Sequence, residues 1–263
     1  GISISFSKKT GMITDLKSSH GDRLSFGNGP VLVSGKAVFT GLKETKENDG
    51  YTVEMQYEGD MKYARWKMYN SGWLGLEYEY TLNGSYPFAG ISFTYPENYV
   101  LGAKWLGKGP YRVWKNRLQG VTDNVWQNAY NNTQTGSAPW TFPEFKGYYA
   151  GISWMELKTV EGMFLVASKD TGLYVRLFDF YGLSGVKPFP ALPPGNLSFL
   201  DAIPPMGTKL ALNIDTNTPR LGPSGELNKI NGPQKRTLFF YFGLPKTAAA
   251  AQQYTAPLKD ELF

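Results

Sequence analysis

Between residues 105 and 117 the chain reads Trp105-Leu106-Gly107-Lys108-Gly109-Pro110-Tyr111-Arg112-Val113-Trp114-Lys115-Asn116-Arg117. Two glycines and a proline predict a fixed turn. Beyond it stand Tyr111, Arg112, Trp114, Asn116 and Arg117. Flat aromatic faces beside forked polar donors suit sugars, whose C–H faces stack on rings while their hydroxyls need hydrogen bonds. A second stretch repeats this chemistry, from Trp126 to Trp140 with Asn128, Tyr130, Asn131 and Asn132 between them.

Groups for acid–base work are sparse. Glu144 is the best-placed carboxylate and Asp123 the next. No motif supplies the paired carboxylates, about 5–9.5 Å apart, that glycoside hydrolysis uses. There are 0 cysteines and 1 histidine, His20, in a turn-like Ser18-Ser19-His20-Gly21-Asp22 loop. Thiolate chemistry and multi-histidine metal sites are thereby excluded, and a serine triad has only His20 to use. Asp179, Asp201 and Asp215 are too scattered for a calcium loop. Gly107-Lys108-Gly109 runs into Pro110, so no phosphate loop forms. No cofactor or metal is expected. Tyr111, Arg112 and Asn116 would permit a polysaccharide lyase without specifying one.

These residues need a scaffold, and the chain predicts strands for it. Among 263 residues there are 17 Tyr, 16 Phe, 7 Trp, 30 Gly and 17 Pro, a mixture typical of short strands and tight turns. Strand patterns are expected at 2–6, 12–16, 31–33, 36–40, 51–57, 65–69, 74–82, 88–93, 148–157, 163–168, 172–178, 196–200, 209–214 and 237–242. Turns are expected at 8–11, 27–30, 70–72 and 83–84, and a charged loop at 43–50. Residues 102–151 alternate poorly and read as long ordered loops. A Pro-rich stretch covers 186–195, and one helix is expected near 247–254. No linker or internal repeat divides the chain, so residues 1–263 read as one domain with a short tail from about 246 to 263. About fifteen strands in one unit imply large antiparallel sheets packed face to face.

The charge balance is mild: 27 Lys and Arg against 22 Asp and Glu, a net +5. It forms no stripe of the kind that binds nucleic acid. No apolar run reaches the length that crosses a bilayer, and no signal peptide is expected in these residues.

The 105–117 segment resembles the Gly-x-Gly-Pro-x-Glu-x-Tyr-x-Asp-Arg motif of the C-terminal, small-chain domain of family 2 β-galactosidases. Gly107, Gly109, Pro110 and Arg117 match; Arg112, Trp114 and Asn116 replace the family's Glu, Tyr and Asp. The opening Phe6-Ser7-Lys8-Lys9-Thr10-Gly11-Met12-Ile13 resembles the family's first hairpin, Gly29-Pro30 its next turn, and Pro143-Glu144-Phe145-Lys146-Gly147 its Pro-x-Glu-x-Gly segment. The resemblance spans about residues 2–245 and is nearest to versions carried by gut polysaccharide degraders of the Bacteroides type. It implies an all-β, galactose mutarotase-like β-supersandwich. It also implies a non-catalytic domain that flanks or completes the sugar site of a separate catalytic TIM barrel, in a periplasmic or extracellular enzyme. A free-standing lyase or aldose mutarotase is the alternative. Carbohydrate contacts are expected from Tyr111, Arg112, Trp114, Asn116, Arg117, Trp126, Trp140 and Glu144, in loops rather than sheets. Trp105 is expected in the core, and Arg112 and Trp114 as an exposed pair. Arginine in place of a carboxylate points away from galactose, toward an acidic or differently substituted sugar.

Overall fold

A computed structural model describes residues 2–18, 21–129, 146–179, 191–206 and 225–242. The described chain is all-β: fifteen strands and a single 3₁₀ turn at Glu97–Tyr99, with no α-helix. In chain order the strands are β1 Ser3–Phe6, β2 Ile13–Lys17, β3 Gly27–Leu32, β4 Ala37–Glu47, β5 Gly50–Gly59, β6 Met61–Tyr69, β7 Leu74–Tyr86 and β8 Ala89–Thr94. They continue as β9 Val100–Val113, β10 Thr122–Asn128, β11 Tyr148–Thr159, β12 Gly162–Ser168, β13 Tyr174–Leu177, β14 Leu197–Ala202 and β15 Asn228–Phe242. The strands expected at 209–214 and the helix near 247–254 lie outside the described residues.

Apart from the β1–β2 hairpin, the strands form one thirteen-stranded antiparallel system folded on itself. Its smaller face runs β3-β8-β14-β13-β11 and its larger face β10-β9-β11-β12-β15-β7-β6-β5-β4. Strand β11 belongs to both. Tyr149 pairs with Val175 of β13, whereas Trp154 to Thr159 pair with β12. The passage between sheets falls at a register break that includes Gly151, whose φ of +60° suits glycine.

The sheets meet over an aromatic core. Phe93 of β8 lies 6.2 Å from Trp66 of β6 and 6.3 Å from Phe240 of β15. Phe199 of β14 is 5.4 Å from Phe240. Phe26 stacks on Phe93 at 4.7 Å. The alternation that fills this layer is plain in β7, where Leu74, Leu76, Tyr78, Tyr80 and Leu82 all point inward and are buried. Each large side chain removed from water there contributes about 1.5–3 kcal/mol.

Four expectations change. Residues 102–113 and 122–128 are not loop but the strands β9 and β10; the turns between them, 114–121, stay irregular. The glycines of β9 hide the alternation because they serve close packing. A Cβ at Gly109 would meet the Trp126 indole at 2.5–2.7 Å, and one at Gly102 would meet the Asn128 carbonyl at 2.6 Å. The charged segment 43–47 is strand, paired from Lys43↔Glu54 to Glu47↔Gly50. It lies on an edge, where charged side chains discourage stray pairing. Asn83-Gly84 does not turn; both residues pair within β7, opposite Asn231 and Ile230. Residues 27–30 form a register break inside β3, which accommodates Pro30. The 8–11 and 70–72 turns and the β1–β2 hairpin stand where expected.

Candidate functional site

At the end of β9 the chain enters a tight reversal in which Trp114 and Arg117 form a bridge. The Arg117 N–H donates to the Trp114 carbonyl at 2.8 Å and the Trp114 N–H to the Arg117 carbonyl at 3.3 Å. Trp114 packs edge-on against Tyr148, at 5.0 Å. Gly147, at φ +116°, fits beneath it; a Cβ there would lie 3.1 Å from the Arg112 Cβ and 3.2 Å from the Trp114 Nε1. The Arg112 guanidinium covers the Tyr149 ring at 4.4 Å and donates to its hydroxyl at 2.9 Å.

This reversal also ties down its neighbours. The Asn116 amide donates to the Met206 carbonyl at 2.9 Å and accepts from the Met206 N–H at 2.8 Å. The Lys115 N–H donates to the Pro204 carbonyl, and Lys115 Nζ to the carbonyls of Glu226 and Leu227, both at 2.7 Å. Nearby, Glu97 and Lys146 form a buried ion pair of 2.6 Å. The remaining Glu97 oxygen accepts the Asp179 N–H at 2.9 Å.

Lys115 is also one wall of a groove of about 610 Å³. Ala89, Asp201 and Ala202 line it from the smaller sheet; Asn228, Lys229, Ile230, Asn231 and Gln234 line it from β15. The groove exists because β12 stops short. The β12 pairing with β15 begins at Ser168↔Leu238, so residues 228–237 of β15 pair only with β7. Pro233 fits that single-sided stretch because no ladder partner on the other side needs its missing N–H.

Beneath the groove the inward positions turn polar. Asp201 Oδ1 accepts from Arg236 Nε at 2.8 Å and Nη2 at 2.6 Å, and Oδ2 accepts the Tyr80 hydroxyl at 2.6 Å. Arg236 places its other N–H groups on Ser168 Oγ and the carbonyls of Asp170 and Thr171. All five of its donors are therefore engaged. Burial pulls the Arg236 guanidinium down, and the adjacent Asp201 carboxylate more than reverses this, so it is held above its ordinary value. Burial first, and then Asp201, pushes the Tyr80 phenol far above its usual range. Arg236 thus stays charged and Tyr80 neutral at neutral pH. The Gln234 side chain, by contrast, makes no hydrogen bond among the described residues and lies on the inward face of β15, at the groove.

The residues picked out in the sequence divide by burial. Tyr111, 53% exposed, and Arg117 are accessible. Trp126 is half-buried, flat on Gly109, and donates Nε1–H to the Thr122 carbonyl at 3.1 Å. Arg112 and Trp114 are not an exposed pair: they are 2% and 4% exposed, because the Gly147 approach and the Tyr148 and Tyr149 rings enclose them. Asn116 is an anchor for Met206. Trp105 is in the core, at 1%. Trp140, Glu144 and His20 lie outside the described residues. Asp123, the second acid, is exposed and pairs with Lys108 at 3.2 Å.

The groove itself was missed, on the expectation that sheet positions cannot gather polar groups. Alternation places Tyr78 and Tyr80 directly opposite Arg236 and Gln234 on the same inward face. The signal was the run Gln234-x-Arg236 at positions in phase with the apolar Leu238, Phe240 and Phe242.

Among the described residues no cluster of three His, Asp or Glu is arranged to hold a metal ion. No helix is long and apolar enough to cross a membrane. No family model matches the chain, and no curated protein does. Among solved structures it is similar to the GalM/aldose epimerase homologue from C. elegans, at 8% identity and a TM-score of 0.40, over 92% of this chain and 96% of that one. It is also similar to a glycoside hydrolase family 97 enzyme from Pseudoalteromonas sp. strain K8, in complex with acarbose, at 10% identity and a TM-score of 0.37. That alignment covers 92% of this chain and 34% of the enzyme.

Proposed function

We propose that this chain is a carbohydrate-associated β-supersandwich, the non-catalytic domain of a family 2, β-galactosidase-like glycoside hydrolase, and that its groove holds saccharide. The observation that carries this reading is the meeting of motif and cavity. The reversal that follows Gly107-x-Gly109-Pro110 delivers Lys115 to a polar groove whose other walls come from both sheets. Gln234, on the inward face of β15, offers an amide that both donates and accepts, as sugar hydroxyls require. Binding rather than hydrolysis fits the lining, where the acid is Asp201 and both its oxygens are already engaged. Arg112, Trp114 and Asn116 would then build the wall, with Tyr111, Arg117 and Trp126 as outer contacts. The catalytic barrel would lie elsewhere in the parent chain, working in the periplasm or outside the cell.

The test is a chemical-shift titration of the protein with neutral and acidic mono- and oligosaccharides. Shifts clustered at Asn231, Gln234 and Ala202, and lost in a Gln234→Ala variant, are the expected result. Absence of saturable shifts with every sugar would overturn the binding reading.

A further inference from the structure

The geometry points to a buried anion site on the outer face of the smaller sheet, between Arg176 and Tyr148, which takes a monovalent halide such as chloride. Tyr149 of β11 pairs with Val175 of β13, and both lie in the main core. One step along that antiparallel ladder Tyr148 stands opposite Arg176 on the other face, where directly opposed Cβ atoms are about 4.5–5.5 Å apart. Both residues are 0% exposed. The Arg176 guanidinium donates from Nη1 to the Pro193 carbonyl at 3.0 Å, and from Nη2 to the Pro194 carbonyl at 3.2 Å, the Gly195 carbonyl and Ser92 Oγ. Every one of these acceptors is neutral. The Arg176 Nε–H has no partner, and neither has the Tyr148 hydroxyl. Trp114 Nε1–H, whose ring packs on Tyr148 at 5.0 Å, is a third unpaired donor in the same cluster. Asp179 and Glu97 act on Arg176 through space but form no ion pair with it, and Glu97 is paired with Lys146. Burial pulls the guanidinium down to about 10, so it is still charged at neutral pH, and pushes the Tyr148 phenol far above its usual range, so it stays a donor. A buried cation with only neutral contacts lacks its counter-charge, and buried donors without an acceptor are rare. A water would bring two hydrogens of its own, and no unpaired carboxylate or amide oxygen accompanies these donors to receive them. A halide only accepts, supplies the missing charge, and is small enough to be enclosed where solvent does not reach. Neutralised in this way, Arg176 clamps residues 193–195 and with them the approach to β14.

The test is the thermal midpoint of the full chain in sodium chloride, sodium bromide and sodium gluconate at one ionic strength, together with a bromide-soaked crystal measured at the bromine edge. Chloride and bromide should raise the midpoint saturably, by about 3–6 °C at tenfold over Kd, and gluconate, too large to enter, should give none of this rise. The crystal should show an anomalous peak beside Arg176 Nε and Tyr148 Oη. Tyr148→Phe should weaken the halide affinity about tenfold or more, as loss of one donor to a charged group implies. In gluconate the same variant should be at least as stable as the parent, because the hydroxyl it removes is unsatisfied there. Arg176→Met should abolish the halide effect; if that variant does not fold, Tyr148→Phe and the bromide peak decide. Equal midpoints in chloride and gluconate overturn the site. So does a halide effect that Tyr148→Phe leaves unchanged, or a water at that position in the bromide-soaked crystal. None of these outcomes depends on the saccharide reading.

Discussion

Asp201 is the residue on which the groove floor turns. It is 15% exposed at the side chain and Arg236 is 6% exposed, so removing the acid strands a cation that water reaches poorly. Asp201→Asn should cost about 3–5 kcal/mol, as for other buried pairs broken on one side. Tyr80→Phe removes one hydrogen bond to Asp201 and should cost about 1–3 kcal/mol. Urea denaturation measures both; an Asp201→Asn protein as stable as the parent would contradict the assigned network. Gly147 makes a second, independent case. Its φ of +116° disfavours any side chain, and the Arg112 and Trp114 atoms at 3.1–3.2 Å would have to give way to a methyl group. Gly147→Ala should cost about 1–3 kcal/mol. Because it presses on Trp114, it should also alter the near-ultraviolet dichroism of the indoles. A silent spectrum with unchanged stability would show that the reversal tolerates displacement.

Among the elements, the outer face of the large sheet is a ladder of alternating charge across β5, β6, β7 and β15. Arg65 joins Glu54 at 2.6 Å and Glu77 at 2.8 Å, and Lys235 joins Glu77 at 3.1 Å. Burial pushes the Glu77 carboxyl up, but hydrogen bonds from Tyr63 and Lys235, with Arg65, more than reverse it and hold it below 4.5. A carboxyl lowered by folding stabilises the protein fully above its ordinary value, and that contribution fades as pH falls through the lowered folded value. Stability should therefore drop below about pH 4.5, and Glu77→Gln should remove up to about 1 kcal/mol of that acid-sensitive part. Denaturation curves at pH 7 and pH 3 of parent and variant measure the difference; an identical pH slope in both would contradict it. Such strands were legible where polar and apolar residues alternate cleanly, as in Arg65-Trp66-Lys67-Met68-Tyr69. They were illegible where glycine replaced the alternating side chain. In β9, Gly107 and Gly109 looked like turn formers, yet their missing side chains admit the β11 backbone and the Trp126 ring. Burial of Arg112 was equally hidden, because it depends on Gly147 and Tyr149, more than thirty residues away in sequence. The motif was legible as a place of interest; the groove beside it depends on where β12 ends, which no local pattern states.

At the scale of the whole molecule, β11 is the element that makes two sheets into one structure. Its first residues pair with β13 and its later ones with β12, and both sheets press on the same rings. Trp66, wholly buried on β6, touches Phe93 from the opposite sheet and Phe240 from its own. Neither sheet can keep its inner face dry without the other, so the described core should unfold as one cooperative unit. Far-ultraviolet dichroism reports the strands of both sheets, and tryptophan fluorescence is weighted to the large one, which carries Trp66, Trp105 and Trp154. The two probes should give coincident urea midpoints. Trp66→Leu, which opens a void between the sheets, should lower both midpoints together by an amount equivalent to about 2–4 kcal/mol. Phe93→Val, on the other side of the same contact, should act alike, and the double variant should fall short of the sum of the singles because they share a cavity. Separated midpoints in the parent protein, or a Trp66→Leu shift seen by fluorescence alone, would mean that the sheets unfold independently and that β11 does not couple them.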